Sequence, residues 1–256
     1  MIRVGVTGEG PLADAHVEAL VSNGCEVVRG RVEEMLPKVD ALVVASDPVD
    51  RFHHTALALE HECDVLVEQP VAPTAENAWM LERIAKLRPS EPVVQVSRPD
   101  AFDPALRRLA ALASERVLVA LDIRRRGDAP IEWDVHTMLS LAGSPLVRLQ
   151  ASGVPKHTVA ALVFESGLIA TLSTGTLRIG PACRLTAECS ADTIVADLGS
   201  GVVDPFTAQA QSFLKAVRDR TRPSLTLRNA IACMDVAAGI RECLAVQAAA
   251  SGSVVA

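Results

Sequence analysis

The sequence contains no tyrosine, and aromatic residues make up only 3% of its 256 residues. A folded core must therefore be built from aliphatic side chains. A hydrophobic share of 49% beside 22% charged residues is typical of a globular protein. Apolar runs such as residues 41–45 are too short to cross a bilayer, and no charged-then-apolar leader precedes the strand predicted to start at Ile2. We therefore expect a cytoplasmic protein with no membrane partner.

The sequence also lacks an excess of positive charge and any closely spaced cysteine pair. Its formal net charge is −6, which argues against nucleic acid as a main partner. The 6 cysteines include no Cys-x-x-Cys pair, and they are expected to be reduced thiols. His53, His54, His61 and His157 have no ligand-like spacing with acids or cysteines. We therefore predict no metal site.

Short apolar strands alternate with helices between residues 2 and 96. This alternation predicts a Rossmann-type, doubly wound parallel sheet, and the strand at residues 40–45 is apolar throughout, as expected for a strand covered on both faces. Thr74 is the expected N-cap of a helix that runs to about Lys86. We assign residues 1–110 to a dinucleotide-binding domain of the α/β class.

The pattern changes near residue 115, where longer segments with alternating polarity begin. They predict a second α/β domain, at residues 111–256, with an open, largely antiparallel sheet and a hairpin turn at residues 165–167. The expected strands cover residues 117–125, 147–152, 157–165, 168–175 and 183–190. Two closing helices are expected at residues 205–220 and 227–250, and it stays open whether they pack back on the first domain.

A glycine turn joins the first strand to the first helix. Gly8 permits the tight turn and Gly10 lets the backbone approach a pyrophosphate, which the N-terminus of the helix then attracts. The motif closes with Leu12 and Ala13, which we include among the expected cofactor-binding residues. The alternative is a glycine turn in an α/β fold that binds nothing.

Four side chains near this turn bear on the choice of cofactor. Glu9 places a carboxylate near the expected phosphates, and Pro11 removes one N–H donor, although proline is accommodated in the first turn of a helix. The second strand ends in Arg29 and Arg31 instead of the acidic residue that binds ribose hydroxyls. Arginines there favour NADP over NAD; the alternative is that both are surface arginines at a strand end.

The segment Glu68–Gln69–Pro70 follows a strand and resembles the Glu-Lys-Pro motif of the Gfo/Idh/MocA oxidoreductases, relatives of glucose–fructose oxidoreductase and inositol dehydrogenase. Three more segments resemble this family in the same order along the chain: residues 45–48, 98–104 and 132–143. The later segments, 157–175 and 205–246, agree as well. The resemblance covers nearly the whole chain.

The resemblance implies a Rossmann domain followed by an α/β domain whose open sheet packs against a second copy in dimers or tetramers. It implies hydride transfer between NAD(P) and a carbon of a sugar, a cyclitol or a related small molecule. Ser46 and Glu68 fall at positions expected to contact the cofactor. His136 corresponds to the acid/base histidine, Glu132 to the family aspartate, and Gln69 to the family lysine.

Two departures from the family pattern keep other interpretations open. Gln69 is a neutral amide, and residues 32–39 replace a longer helix–strand–helix segment that borders the adenosine half of the cofactor. Without the resemblance, a satisfied helix histidine would be the better interpretation of His136. The first hypothesis is an NAD(P)-dependent oxidoreductase for a sugar-like or other small hydroxy or carbonyl substrate. The alternatives are a non-catalytic binding or assembly partner, and an enzyme that uses the cofactor for non-redox chemistry.

Overall fold

The computed structural model describes residues 1–127, 129–154, 156–176, 182–199 and 204–252, with side chains up to residue 250. The chain divides into two compact units. The first comprises Met1–Phe102 and Val203–Met234, and the second comprises Asp103–Val202 and Asp235–Ala256. The domain division expected at residue 110 falls inside a helix of the second unit and stays a prediction.

The first unit contains the parallel sheet that the sequence predicts. All its strand pairs are parallel, in the order β2-β1-β3-β4-β5. Strands β3 and β4 are buried at every residue because helices cover both faces of the sheet. The five strands are β1 (Arg3–Thr7), β2 (Glu26–Arg29), β3 (Ala41–Val44), β4 (Asp64–Val67) and β5 (Val94–Val96).

Alternate side chains of each strand enter two separate hydrophobic clusters. Val43 lies with α1 in one cluster, while Leu42 and Val44 lie with α2, α3 and α4 in the other. The N-cap role of Thr74 is confirmed, since its hydroxyl accepts a hydrogen bond from the amide of Asn77 at 3.2 Å. These helices are α1 (Pro11–Ser22), α2 (Val32–Met35), α3 (Pro48–Glu60) and α4 (Ala75–Lys86).

Between β2 and β3 the chain forms only α2 and the 3₁₀ turn Leu36–Lys38. No further strand pairs with the outer edge of β2 among the described residues. The short segment that the sequence shows at residues 32–39 therefore leaves β2 as the edge strand of this sheet.

The second unit contains a six-stranded sheet in the order β11-β10-β6-β9-β8-β7. Every neighbouring pair is antiparallel except β6 and β9, so the expected open, largely antiparallel sheet is confirmed. Its elements are α5 (Pro104–Ser114), β6 (Leu118–Arg126), α6 (Ile131–Ala142), β7 (Leu146–Val154), β8 (His157–Phe164), β9 (Ile169–Gly175), β10 (Cys183–Cys189) and β11 (Thr193–Leu198). The sequence did not predict α5 or β11.

The closing helices are α7 (Pro205–Asp219) and α8 (Leu227–Gly252). Helix α7 packs against α1 through a core that includes Phe213 and Leu214, so this closing helix does cover the first sheet. The first residues of α8, up to Met234, belong to the first unit and the rest to the second. In the described ranges, no helix combines the length and the apolar character that a membrane span needs.

Candidate cofactor and catalytic residues

The glycine turn between β1 and α1 has the backbone conformation that its sequence predicts. Gly8 has φ +85° and Gly10 has φ +87°, both in the region that favours glycine. A Cβ atom at Gly8 would lie 2.6 Å from the carbonyl oxygen of Ala45, so the turn packs directly against the end of β3. A Cβ atom at Gly10 would meet nothing within 4 Å. The turn is therefore closed on its Gly8 side and open on its Gly10 side.

The turn lies at a topological switch point. Strand β1 pairs with β2 on one side and with β3 on the other, and ligands of open α/β sheets bind beside the carboxyl ends of such strands. The first hydrogen bond within α1 joins the amide of Asp14 to the carbonyl of Gly10 at 3.0 Å. The amides of Leu12 and Ala13 thus have no acceptor inside the helix. This open, N–H-bearing turn fits the pyrophosphate of a dinucleotide.

The two predicted arginines have different surroundings. Nη2 of Arg29 donates to the carbonyl of Gly8 at 3.1 Å, and Nη1 donates to the carboxylate of Asp14 at 2.8 Å. Arg31 is 78% exposed, and its Nε lies 3.8 Å from Glu33. The structure therefore brings Arg29 to the glycine turn, whereas Arg31 lies in solvent.

Ser46 follows β3, beside the glycine turn. Its hydroxyl lies 3.2 Å from Nδ1 of His54, and its carbonyl accepts a hydrogen bond from Nη2 of Arg51. The same guanidinium donates through Nη1 to the carbonyl of Pro70 at 2.6 Å. Arg51 thus joins the segments that follow β3 and β4. Sequence reasoning missed Arg51, because nothing local shows that an arginine in the first turn of α3 is buried.

The carboxylate of Glu68 lies in a buried hydrogen-bond network. Its Oε1 atom lies 2.6 Å from Nε2 of His16, and both residues are 1% exposed. The hydroxyl of Ser97 donates to the same oxygen. Burial acts to raise the pKa of Glu68, but the hydrogen bonds from His16 and Ser97 outweigh it and hold the pKa below its ordinary value. Glu68 is therefore a carboxylate inside the protein.

The network continues from Ser97 into α7. Nε2 of Gln209 donates to the Ser97 hydroxyl at 2.9 Å, and Oε1 of Gln209 accepts from the amide of Arg98 at 2.6 Å. All its members belong to the first unit, and it links α1, the ends of β4 and β5, and α7. Ser97 and Gln209 are functional candidates that the sequence did not reveal, since each looks like an ordinary polar residue of its element.

Gln69 lies next to this network. Its Nε2 atom donates to the carbonyl oxygen of Ser97 at 3.1 Å. Its Oε1 atom is buried and has no hydrogen-bond partner among the described residues, and the residue is only 4% exposed. An orphaned acceptor at the carboxyl end of a strand in this sheet suits a site that receives a ligand.

The second unit carries the two predicted residues of α6. Glu132 is 1% exposed, and within the described ranges its carboxylate pairs with Nη2 of Arg241 at 2.7 Å rather than with His136. His136 is partly buried, and its Nδ1 lies 3.1 Å from the hydroxyl of Ser140. Glu132 and His136 lie one helical turn apart, as predicted. The ion-pair partner of the Glu132 carboxylate, however, is Arg241 of α8. Nothing local in the sequence points to Arg241.

Helix α6 is attached to its own sheet by a buried ion pair. Nε of Arg125 donates to both carboxylate oxygens of Asp134 at 2.9 Å, and Nη2 adds a contact of 2.8 Å. The Arg125 side chain is 7% exposed and that of Asp134 is 1% exposed. Such a bidentate pair fixes orientation as well as distance. It holds α6, and with it His136, against β6.

A cavity of about 650 Å³ lies elsewhere in the first unit, among α4, the start of β5 and the segment between α7 and α8. Its basic lining residues include Arg220, which pairs with Asp64, and Arg228, which pairs with Glu82. None of the predicted cofactor residues lines this cavity. The geometry of the glycine turn, rather than cavity size, therefore locates the candidate cofactor site.

A parallel sheet with a glycine turn at its switch point defines the class of dinucleotide-type Rossmann proteins. Residues 9–94 match the model of the Gfo/Idh/MocA oxidoreductase family, which is described as having an NAD-binding Rossmann fold. This match confirms the resemblance to that family found in the sequence. No curated protein is similar enough in sequence to match the chain.

Solved structures share the fold across almost the whole chain. Scyllo-inositol dehydrogenase from Lactobacillus casei, solved with NAD(H) and scyllo-inositol, has 12% identity, a TM-score of 0.85, and coverage of 96% of this chain and 97% of that one. UDP-N-acetylglucosamine 3-dehydrogenase from Acidithiobacillus ferrooxidans has 18% identity, a TM-score of 0.81, and coverage of 95% and 97%. A dehydrogenase from Chromobacterium violaceum has 16% identity, a TM-score of 0.85, and coverage of 99% and 98%.

Proposed function

We propose that this protein is an NAD(P)-dependent oxidoreductase that acts on a small hydroxy or carbonyl compound of the sugar or cyclitol type. The observation that carries the proposal is the glycine turn, which is closed against Ala45 at Gly8 and open at Gly10. The family match over residues 9–94 supports it. The substrate class is inferred from the inositol and nucleotide-sugar dehydrogenases that share the fold.

The cofactor would be held by backbone groups at its pyrophosphate and by strand-end side chains beyond it. Gly10 provides the close approach, and the amides of Leu12 and Ala13 provide donors at the helix N-terminus. When bound, the nicotinamide supplies the hydride acceptor or donor. Ser46 and Glu68 complete the proposed set at the ends of β3 and β4.

The proposed proton acceptor is His136. An imidazole can take the proton of a substrate hydroxyl as that carbon is oxidised, and can return it in the reverse direction. Glu132 and its ion pair with Arg241 hold the helix turn from which His136 projects. The Arg125–Asp134 pair holds the first turn of the same helix against β6.

Binding of the cofactor is the direct test of the proposal. Isothermal titration with NADH and NADPH is expected to give saturable binding of at least one of them. Gly10→Ala keeps the space free but forces a side chain into a positive φ, so we expect weaker binding from a folded protein. No binding of either cofactor to the wild-type protein at millimolar concentration would contradict the proposal.

The arginine at the glycine turn favours NADP. Arg29→Leu is expected to weaken NADPH binding about tenfold and NADH binding much less, because only NADPH carries the 2′-phosphate. Arg31→Leu is the matched control, since Arg31 is exposed and does not contact the turn. Equal losses for both cofactors in Arg29→Leu would show that the arginine acts on the turn rather than on the phosphate.

Turnover tests the assignment of His136. Inositols, simple sugars and UDP-sugars are to be screened with the cofactor that binds. His136→Ala is expected to lower kcat by about 10²–10⁴-fold while the Kd of the cofactor stays unchanged. His53→Ala, at an exposed histidine of α3, is the control. Full turnover by His136→Ala would remove His136 from the proposed mechanism.

A further inference from the structure

The side-chain amide of Gln69 has one satisfied end and one unsatisfied end. Nε2 donates to the carbonyl of Ser97 at 3.1 Å, whereas Oε1 is shielded from solvent and has no partner in the part of the chain that the structure describes. A carbonyl oxygen only accepts hydrogen bonds, so turning the amide over would place two acceptors against each other. The Ser97 carbonyl therefore fixes the orientation, and Oε1 is the atom left to bind something else.

Glu68 gives the same end of β4 a second acceptor. His16 and Ser97 both reach its Oε1 atom, and within the described part of the chain Oε2 receives no hydrogen bond. An amide oxygen and a carboxylate oxygen are therefore carried by neighbouring residues just beyond β4, and both are hydrogen-bond acceptors.

A second buried glutamine shows that an unpartnered amide is not by itself the sign of a ligand. Among the described residues, both side-chain amide atoms of Gln95 are buried without partners. Gln95 is 0% exposed in the middle of β5, where it pairs with Leu66 of β4 and lies away from either end of the strand. Gln69 differs because it lies two residues beyond the end of the parallel strand β4, which is where ligands of such sheets bind.

We propose that Oε1 of Gln69 accepts a hydrogen bond from the bound ligand, and that this position selects a ligand group with an N–H or O–H to donate. Two ligand groups have this chemistry: the carboxamide of the nicotinamide, and a hydroxyl of a polyol substrate. This inference rests on the proposed function. A ligand without the donor leaves a buried acceptor unpaired, so its affinity is expected to be about tenfold lower.

The experiment compares NADH with its reduced 3-acetylpyridine analogue, in which a methyl group replaces the amino group of the carboxamide. Isothermal titration gives the Kd ratio of the two ligands in the wild type, in Gln69→Met and in Gln95→Met. The ratio cancels structural effects that act on both ligands equally. In a second series, myo-inositol is titrated into the NAD⁺ complexes of the same three proteins, with circular dichroism and thermal melting as checks of folding.

A wild-type ratio of about ten that falls towards one in Gln69→Met, but not in Gln95→Met, identifies the carboxamide as the donor. If the Kd ratio of the two dinucleotides is unchanged and the affinity for myo-inositol is lost only in Gln69→Met, the donor is a hydroxyl of the substrate. If neither measurement distinguishes Gln69→Met from the wild type, the inference is wrong. Failure of the wild type to bind NADH at all would instead overturn the proposed function.

Discussion

At the scale of single residues, the first unit contains buried polar groups of two kinds. His16, Glu68, Ser97 and Gln209 satisfy one another, and the hydrogen bonds hold the pKa of Glu68 down against the burial that would raise it. The side-chain amide of Gln95 is buried without a partner among the described residues. Replacing an unsatisfied group by an apolar side chain is expected to raise the free energy of unfolding, whereas replacing a satisfied group is expected to lower it.

Replacing Gln95 by methionine is expected to stabilise the protein. The change removes two unsatisfied polar atoms from a shielded site and keeps a side chain of similar length, so we expect the free energy of unfolding to rise by about 1 kcal/mol. Gln209→Met is the matched opposite, because it breaks bonds to Ser97 and Arg98 and is expected to lower the same free energy. Urea unfolding measures both. A destabilised Gln95→Met would mean that the amide has a partner in solution.

The pKa of Glu68 predicts a pH dependence of stability. Its folded-state pKa lies below the ordinary value of 4.5, so its contribution is present above that value and is lost as the pH falls through the folded-state pKa. We expect the free energy of unfolding to decrease on acidification below about pH 5, and to decrease less in Glu68→Gln. Glu9→Gln, at an exposed residue, is the control. Parallel pH profiles for the wild type and Glu68→Gln would contradict this assignment.

What the sequence revealed about single residues depended on local chemistry. Gly8 and Gly10 could be located because a tight turn makes its own residues distinctive, and Glu68 because its segment resembles a family motif. Ser97, Gln209 and Arg241 could not, because each acts through a partner that is distant in sequence: 29 positions for Ser97 and Glu68, and 109 for Arg241 and Glu132. The charge partner of a buried acid is a tertiary property.

At the scale of elements, the order of strands and helices in the first 100 residues followed from their periodicity. Helix α5 was overlooked, although Leu106, Leu109 and Ala113 form a buried face at helical spacing and Asp103 caps the helix through the amide of Ala105 at 2.8 Å. This helix lies next to residue 115, where the strand and helix pattern changes, and the change of pattern favours a domain boundary there over a helix. Strand β11 is short and begins two exposed residues after the sequence signal of β10 ends, so it resembled a loop.

The end of α7 offers a test at this scale. Arg220 is its C-cap, with φ +50°, and its Nη1 atom lies 2.7 Å from the carboxylate of Asp64 at the start of β4. Arg220→Ala loses the ion pair and the two hydrogen bonds from Nη2 to the carbonyls of Ser90 and Glu91, and it keeps an unfavourable backbone conformation. Arg220→Gly loses the same contacts but adopts the positive φ without strain. We expect the free energy of unfolding to decrease from the wild type to the glycine variant and again to the alanine variant, with about 1 kcal/mol between the two variants. Urea unfolding gives the order, and an alanine variant as stable as the glycine variant would contradict it.

At the scale of the whole molecule, the second sheet leaves one face open to a partner. The register places Val159, Val163 and Ile169 on this face, with Val195 of β11 at its far edge. Three of these four side chains are 45–56% exposed. Charged residues such as Asp122 and Arg184 share the face through the same register. A surface with an apolar side and oppositely charged groups suits pairing with a second copy of itself.

We therefore expect a homodimer or homotetramer assembled through this face. Size-exclusion chromatography with light scattering should give a multiple of the 27.1 kDa chain mass. The double variant Val159→Arg, Ile169→Arg places like charges on β8 and β9, and on self-pairing these charges repel, so it is expected to elute as a folded monomer. Val21→Arg, an exposed apolar residue of α1, is the control that should leave the assembly unchanged. A monomeric wild-type protein, or a double variant that keeps the wild-type mass, would assign this sheet face another role.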